Sequence, residues 1–135
     1  MIKWQKIKQN SKSRLKFKNT KIEYDGIKFD SKKEADRYRK LKMAEEEGLI
    51  KDLECQPEFI LMESFKDPRY GLTKKGEPKT VPGIKYIADF RYTEVATGRV
   101  IVEDTKSTIT AKQPDFRIKY KWLLHQYKDI EFHIT

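Results

Sequence analysis

The sequence predicts an α/β domain with a mixed sheet between helices. Three observations carry this reading. A helical pattern follows Asp30, two segments rich in Tyr, Ile and Phe read as a strand pair after a breaker-rich stretch, and a second helical pattern opens at Pro114 with a short strand behind it. In order, Ile22–Phe29 alternates around Asp25-Gly26, a hairpin pair. Asp30 or Ser31 then caps a helix running to about Glu47, Ser31-Lys32-Lys33-Glu34 fits a capping box, and Gly48 ends the helix. Leu53–Phe65 reads as a strand, and residues 66 to 83, with three Gly and three Pro, as a loop. Ile84–Thr93 and Arg99–Lys106 form a strand hairpin around a turn at Glu94–Gly98. Ser107–Gln113 is a polar connection, and Pro114 suits a first helical turn. The helix after it sets Phe116, Tyr120, Leu123, Leu124 and Tyr127 on one face, and Ile130–Ile134 closes as a strand. The order is helix, three strands, helix, strand.

Composition narrows the function classes. The 135 residues fit one domain of ordinary size, and 7 Phe, 7 Tyr and 2 Trp supply a modest core. One Cys excludes a disulfide framework and a cysteine-rich zinc site, and 2 His leave little for histidine-metal clusters. No apolar run reaches the roughly 20 residues of a membrane span, and no apolar signal core follows the start. The expected setting is the reducing cytoplasm. Net charge is +9, unevenly spread: residues 1–21 hold 8 basic residues and no acid, whereas the remaining 114 hold 22 basic against 21 acidic. A basic flexible tail, residues 1–20, therefore precedes a nearly neutral domain, residues 21–135. Lys12, Arg14, Lys16 and Lys18 of that tail suit a phosphate backbone, because each neutralised phosphate releases counterions. A merely solubilising tail is the plainer reading.

Chemistry concentrates on the predicted hairpin. On a strand, Asp104 and Lys106 share one face while Glu103 and Thr105 point to the other. Asp89 stands among Ile87, Ala88 and Phe90 on the adjoining strand, about 4.8 Å away. An acid inside a strand is disfavoured and costly to bury, so Asp89 needs a partner. If Asp89 faces the Asp104 side, two carboxylates and an ammonium converge. Hard oxygen ligands suit Mg²⁺ or Mn²⁺, and the lysine can serve a water and offset charge on a phosphate. The competing reading is a strand-end salt bridge in a chain that is 38% charged.

Asp89, the hairpin and Asp104-Thr105-Lys106 resemble the PD-(D/E)XK nuclease superfamily, as does the order of helices and strands. Residues 24–35 (YDGIKFDSKKEA), Gln56-Pro57 and Lys85-Tyr86-Ile87-Ala88-Asp89-Phe90 resemble a narrower group of small phage and prophage endonuclease-like proteins. The likeness covers about residues 20–135, with Ala88 in place of the motif's proline. It implies a restriction-endonuclease-like core, Asp89 and Asp104 as metal ligands, and Lys106 as catalytic lysine. It further implies Glu34 on the first helix as a third ligand. Helical phase agrees, since Glu34, Tyr38 and Leu41 share a face, although capping alone also explains Glu34.

The expected function is metal-dependent endodeoxyribonuclease activity on duplex or branched DNA. Holliday-junction-type cleavage by a homodimer is implied by likeness, because paired cuts need two sites. A catalytically silent DNA-binding module is the alternative class, and an RNA- or protein-binding accessory factor a third. Four further residues are weighed. Glu103 reads as structural. Lys119, at the edge of the inward helix face, either meets phosphate or snorkels. Gln56 either orders its strand or approaches the site. His125 reads as helix surface, with no pairing to Cys55.

Overall fold

A computed structural model describes residues 21–135, so the predicted DNA contacts Lys12, Arg14, Lys16 and Lys18 lie outside the described residues. The protein is mixed α/β, with ten strands and three helices among the described residues. The chain divides into two compact units, up to Leu41 and from Lys42 to Thr135.

In the first unit, β1 (Ile22–Tyr24) and β2 (Ile27–Phe29) form the expected antiparallel hairpin. Asp25 and Gly26 both take positive φ, 53° and 76°, which the twist of a two-residue hairpin turn demands. Helix α1 (Lys32–Glu46) starts at Ser31, whose Oγ accepts the Glu34 amide at 3.2 Å. That bond satisfies one of the orphan donors of the first turn. Ala35, Tyr38 and Leu41 are buried, the Tyr38 ring lies 5.1 Å from Phe29, and its hydroxyl donates to Asp25 Oδ2. The helix ends in a Schellman motif: Gly48 takes φ +80°, the Leu49 amide donates to Ala44 and the Gly48 amide to Glu45.

The second unit holds a four-stranded sheet in the order β10-β9-β8-β3. Its strands are β3 (Ile50–Cys55), β8 (Phe90–Glu94), β9 (Val100–Asp104) and β10 (Ile130–Ile134). β10 runs parallel to β9 and the other pairs are antiparallel, giving the mixed sheet expected. A second ladder joins β4 (Glu58–Met62) to β7 (Ile84–Ile87), and a third joins β5 (Phe65–Leu72) to β6 (Pro78–Val81). Helix α3 (Pro114–Gln126) starts with Pro at its N-terminus, as predicted. Leu123 is fully buried against Phe59, Leu61, Tyr86, Ala88 and Val102, and the Tyr127 hydroxyl donates to the Ile60 carbonyl. Among the described residues no helix is long and apolar enough to cross a membrane.

Five expectations need correction. The strand predicted over Leu53–Phe65 breaks at Gln56-Pro57, and the one over Ile84–Thr93 breaks at Ala88-Asp89. The two breaks are one bend, because the Gln56 amide donates to the Asp89 carbonyl and the Ala88 amide to the Pro57 carbonyl. Gln56 adopts φ 53° there, and Pro57 has no amide to give a ladder. The loop expected over residues 66–83 folds into the β5–β6 ribbon. Ser107–Gln113 contains a short helix, α2 (Thr108–Lys112), because the Ser107 hydroxyl caps the Thr110 amide. Leu124, placed on the inward face of α3, is 43% exposed, whereas its neighbour Leu123 is fully buried.

Candidate metal and phosphate site

The common bend positions the first acid. Asp89 sits between β7 and β8 rather than within one strand, and its amide donates to the Glu103 carbonyl at 3.0 Å. Its Oδ2 accepts the Thr105 amide at 2.8 Å, which ties the bend to the end of β9. Asp104 ends β9, two residues beyond the fully buried Val102 on the same sheet face. At 2% exposure it is the one buried charged residue among those described, so it must be partnered. It is: the Tyr86 hydroxyl donates to Oδ2, and the Lys106 ammonium stands 3.0 Å from the same oxygen. The ammonium also lies 5.5 Å from the Tyr86 ring centre and 5.8 Å from that of Phe116.

The predicted strand phase holds. Glu103 turns to the opposite face, where it accepts the Tyr92 hydroxyl. Asp89, Asp104 and Lys106 therefore come together, and the Glu103 side chain stands apart from them. Lys119 lines a cavity of about 300 Å³ with Lys85, Tyr86, Lys106, Asp115 and Phe116, beside the Asp104–Lys106 pair. Gln56 acts through its backbone at the bend. His125 is an exposed helix residue and Cys55 a half-buried thiol outside any disulfide. Glu34 belongs to the first unit, half-buried in the first turn of α1.

Two residues of the site escaped the sequence reading, Tyr86 and Phe116. Tyr86 carried a usable signal: it alternates with Lys85 and Ile87, so it faces the side where a buried acid needs a donor. Phe116 was placed only as core.

The electrostatics follow from burial. Desolvation pushes the Asp89 carboxyl up to about 6, and the neighbouring Asp104 charge adds to this against the Thr105 amide and Lys106, which favour ionisation. Burial and the Asp104 carboxylate raise the Tyr86 phenol well above its usual range, so it stays a donor. Asp89 ionises more readily in the unfolded chain, at about 3.9, than in the folded one. The folded state accordingly holds the extra proton between about pH 4 and 6, and stability falls as pH rises through that window. Asp89→Asn is expected to flatten that slope in urea melts in EDTA. It should also stabilise the protein at pH 7 by about 1 kcal/mol, reduced from the full linkage value by residual solvation. An unchanged pH profile would remove Asp89 as the source.

Two converging carboxylates beside an ammonium fit a hard divalent cation. Among the described residues no group of three or more His, Cys, Asp or Glu forms a ready cage. Mg²⁺ does not require one, since one or two carboxylates suffice when water and substrate phosphate fill the remaining positions.

No curated protein and no solved structure matches the chain. A family model does, over residues 14–135, so the protein belongs to the family described as protein of unknown function (DUF1064).

Proposed function

We propose that the protein is a metal-dependent endodeoxyribonuclease with a restriction-endonuclease-like core. The observation that carries the reading is the meeting of Asp89, Asp104 and Lys106 at one bend, with both acids anchored by dedicated donors. A Mg²⁺ or Mn²⁺ ion held by Asp89 and Asp104 would supply Lewis acidity toward the scissile phosphodiester, and the sequence likeness adds Glu34 as a third ligand. Lys106 orients the attacking water and offsets charge developing on the phosphate. Tyr86 holds the Asp104 carboxylate in place, and the Thr105 amide does the same for Asp89. Lys119 and Lys85 line the adjoining cavity and can meet phosphates flanking the cut. Branched DNA as substrate, a homodimeric assembly making paired cuts, and phage or prophage origin in a bacterial cytoplasm follow from the sequence likeness and belong to the proposal.

A second reading, a DNA-binding module that does not cleave, is favoured by one observation. Asp104 already has both Tyr86 and Lys106 on a single oxygen, a closed arrangement that needs no cation. Plasmid nicking with Mg²⁺, Mn²⁺ or EDTA separates the two. Nicking that EDTA abolishes supports the nuclease; DNA binding without nicking under all three conditions supports the module.

A further inference from the structure

The β5–β6 ribbon is the part of the second unit that the site does not use. Its register runs Phe65↔Val81, Lys66↔Thr80 and Asp67↔Lys79, then resumes at Leu72↔Pro78, so residues 68–71 bulge out of β5. The bulge is a fixed knuckle: Asp67 accepts the Arg69 backbone amide at 2.8 Å and its guanidinium at 2.6 and 3.0 Å. The turn beyond it is closed by the Thr73 amide on the Glu77 carbonyl and the Gly76 amide on that of Thr73. At the root, Gly83 allows a close approach, since a Cβ there would meet the Met62 carbonyl oxygen at 2.6 Å.

This ribbon buries little. Tyr70 is 59% exposed, Leu72 54% and Phe65 46%, and a two-stranded ribbon without a packed face is marginal in water. Its charge is equally distinct. Residues 65–81 hold five of the 22 basic and two of the 21 acidic residues found from 22 to 135, leaving 17 against 19 elsewhere. The positive charge of this region therefore comes from the ribbon. Like charge disfavours a second copy of the same arm as its occupant, whereas aromatic faces interleaved with ammonium groups match a chain of bases and phosphates.

We infer that the β5–β6 ribbon is a nucleic-acid-binding arm that holds an unpaired DNA strand, with Lys66, Lys74, Lys75 and Lys79 on its phosphates and Tyr70 stacked on a base. The inference deepens the nuclease reading and rests on it for the class of partner: the arm selects DNA with an unpaired segment. The test uses the full chain in EDTA, with anisotropy titrations of a labelled gapped duplex and the matched intact duplex across a salt series. Replacing the four lysines by Gln should lower the slope of log affinity against log salt on gapped DNA by about 3. Tyr70→Ala should weaken gapped DNA about tenfold and intact duplex by about twofold or less. The Lys74→Gln, Lys75→Gln pair, confined to the turn, should give about half the slope change and serves if the fourfold variant fails to fold. Variants that match the parent in slope and in gapped-DNA affinity would overturn the arm. Nicking by the same preparations in Mg²⁺ keeps the two readings separable. A parent that binds through the arm without nicking overturns the nuclease and leaves the arm standing. A parent that nicks, with arm variants binding as it does, overturns the arm alone.

Discussion

Asp104→Asn should lower plasmid nicking by about 10²-fold or more, the scale on which preorganised charged groups act. The substitution keeps the shape that Tyr86 and Lys106 pack against but removes the buried negative charge. Asp89→Asn and Lys106→Ala should fall in the same range, the first by removing the acid at the bend, the second by removing the ammonium beside it. Glu34→Gln should cause an intermediate loss. DNA affinity should hold or rise in the Asn variants, because each removes a negative charge facing phosphate. Glu103→Gln is the internal control. It neighbours Asp104 in sequence but bonds to Tyr92 on the opposite sheet face, so its nicking should stay near the parent's. If Glu103→Gln abolished nicking while Asp104→Asn remained active, the metal site would have to be rebuilt on the other face. If every variant nicked like the parent, the activity would reside elsewhere.

Replacing the seven basic residues from Lys3 to Lys18 with Gln should lower the salt slope on duplex DNA by about 6, at one released counterion set per contacted phosphate. Contact by only half of them would give about 3. The nicking rate at saturating DNA should change little, because none of these residues belongs to the bend where Asp89 and Asp104 meet. Affinity titrations across salt and single-turnover nicking would check the two halves separately. An unchanged slope would show that the tail does not touch DNA.

Elements whose signals are local were legible in the sequence. Asp25-Gly26, the Ser31 cap, Gly48 and Pro114 each impose a backbone state within a few residues, and hairpin, helix ends and helix start fall where those residues place them. Strand alternation likewise placed Asp104 with Lys106 and turned Glu103 away, because a period of two leaves no other choice on a regular strand. The rest was decided between segments distant in the chain. Gln56-Pro57 reads alone as an interruption of one strand; only pairing with Ala88-Asp89 makes it a bend that splits two ladders at once and brings Asp89 to the Thr105 amide. The β5–β6 ribbon is hidden in a run of Gly and Pro whose composition says loop, because cross-strand pairing with a bulge has no local period to detect. Tyr86 and Phe116 joined Asp104 and Lys106 for the same reason. A buried carboxylate selects its donors by distance in space, and it was the packing of α3 on the sheet, not the order of residues, that set those distances.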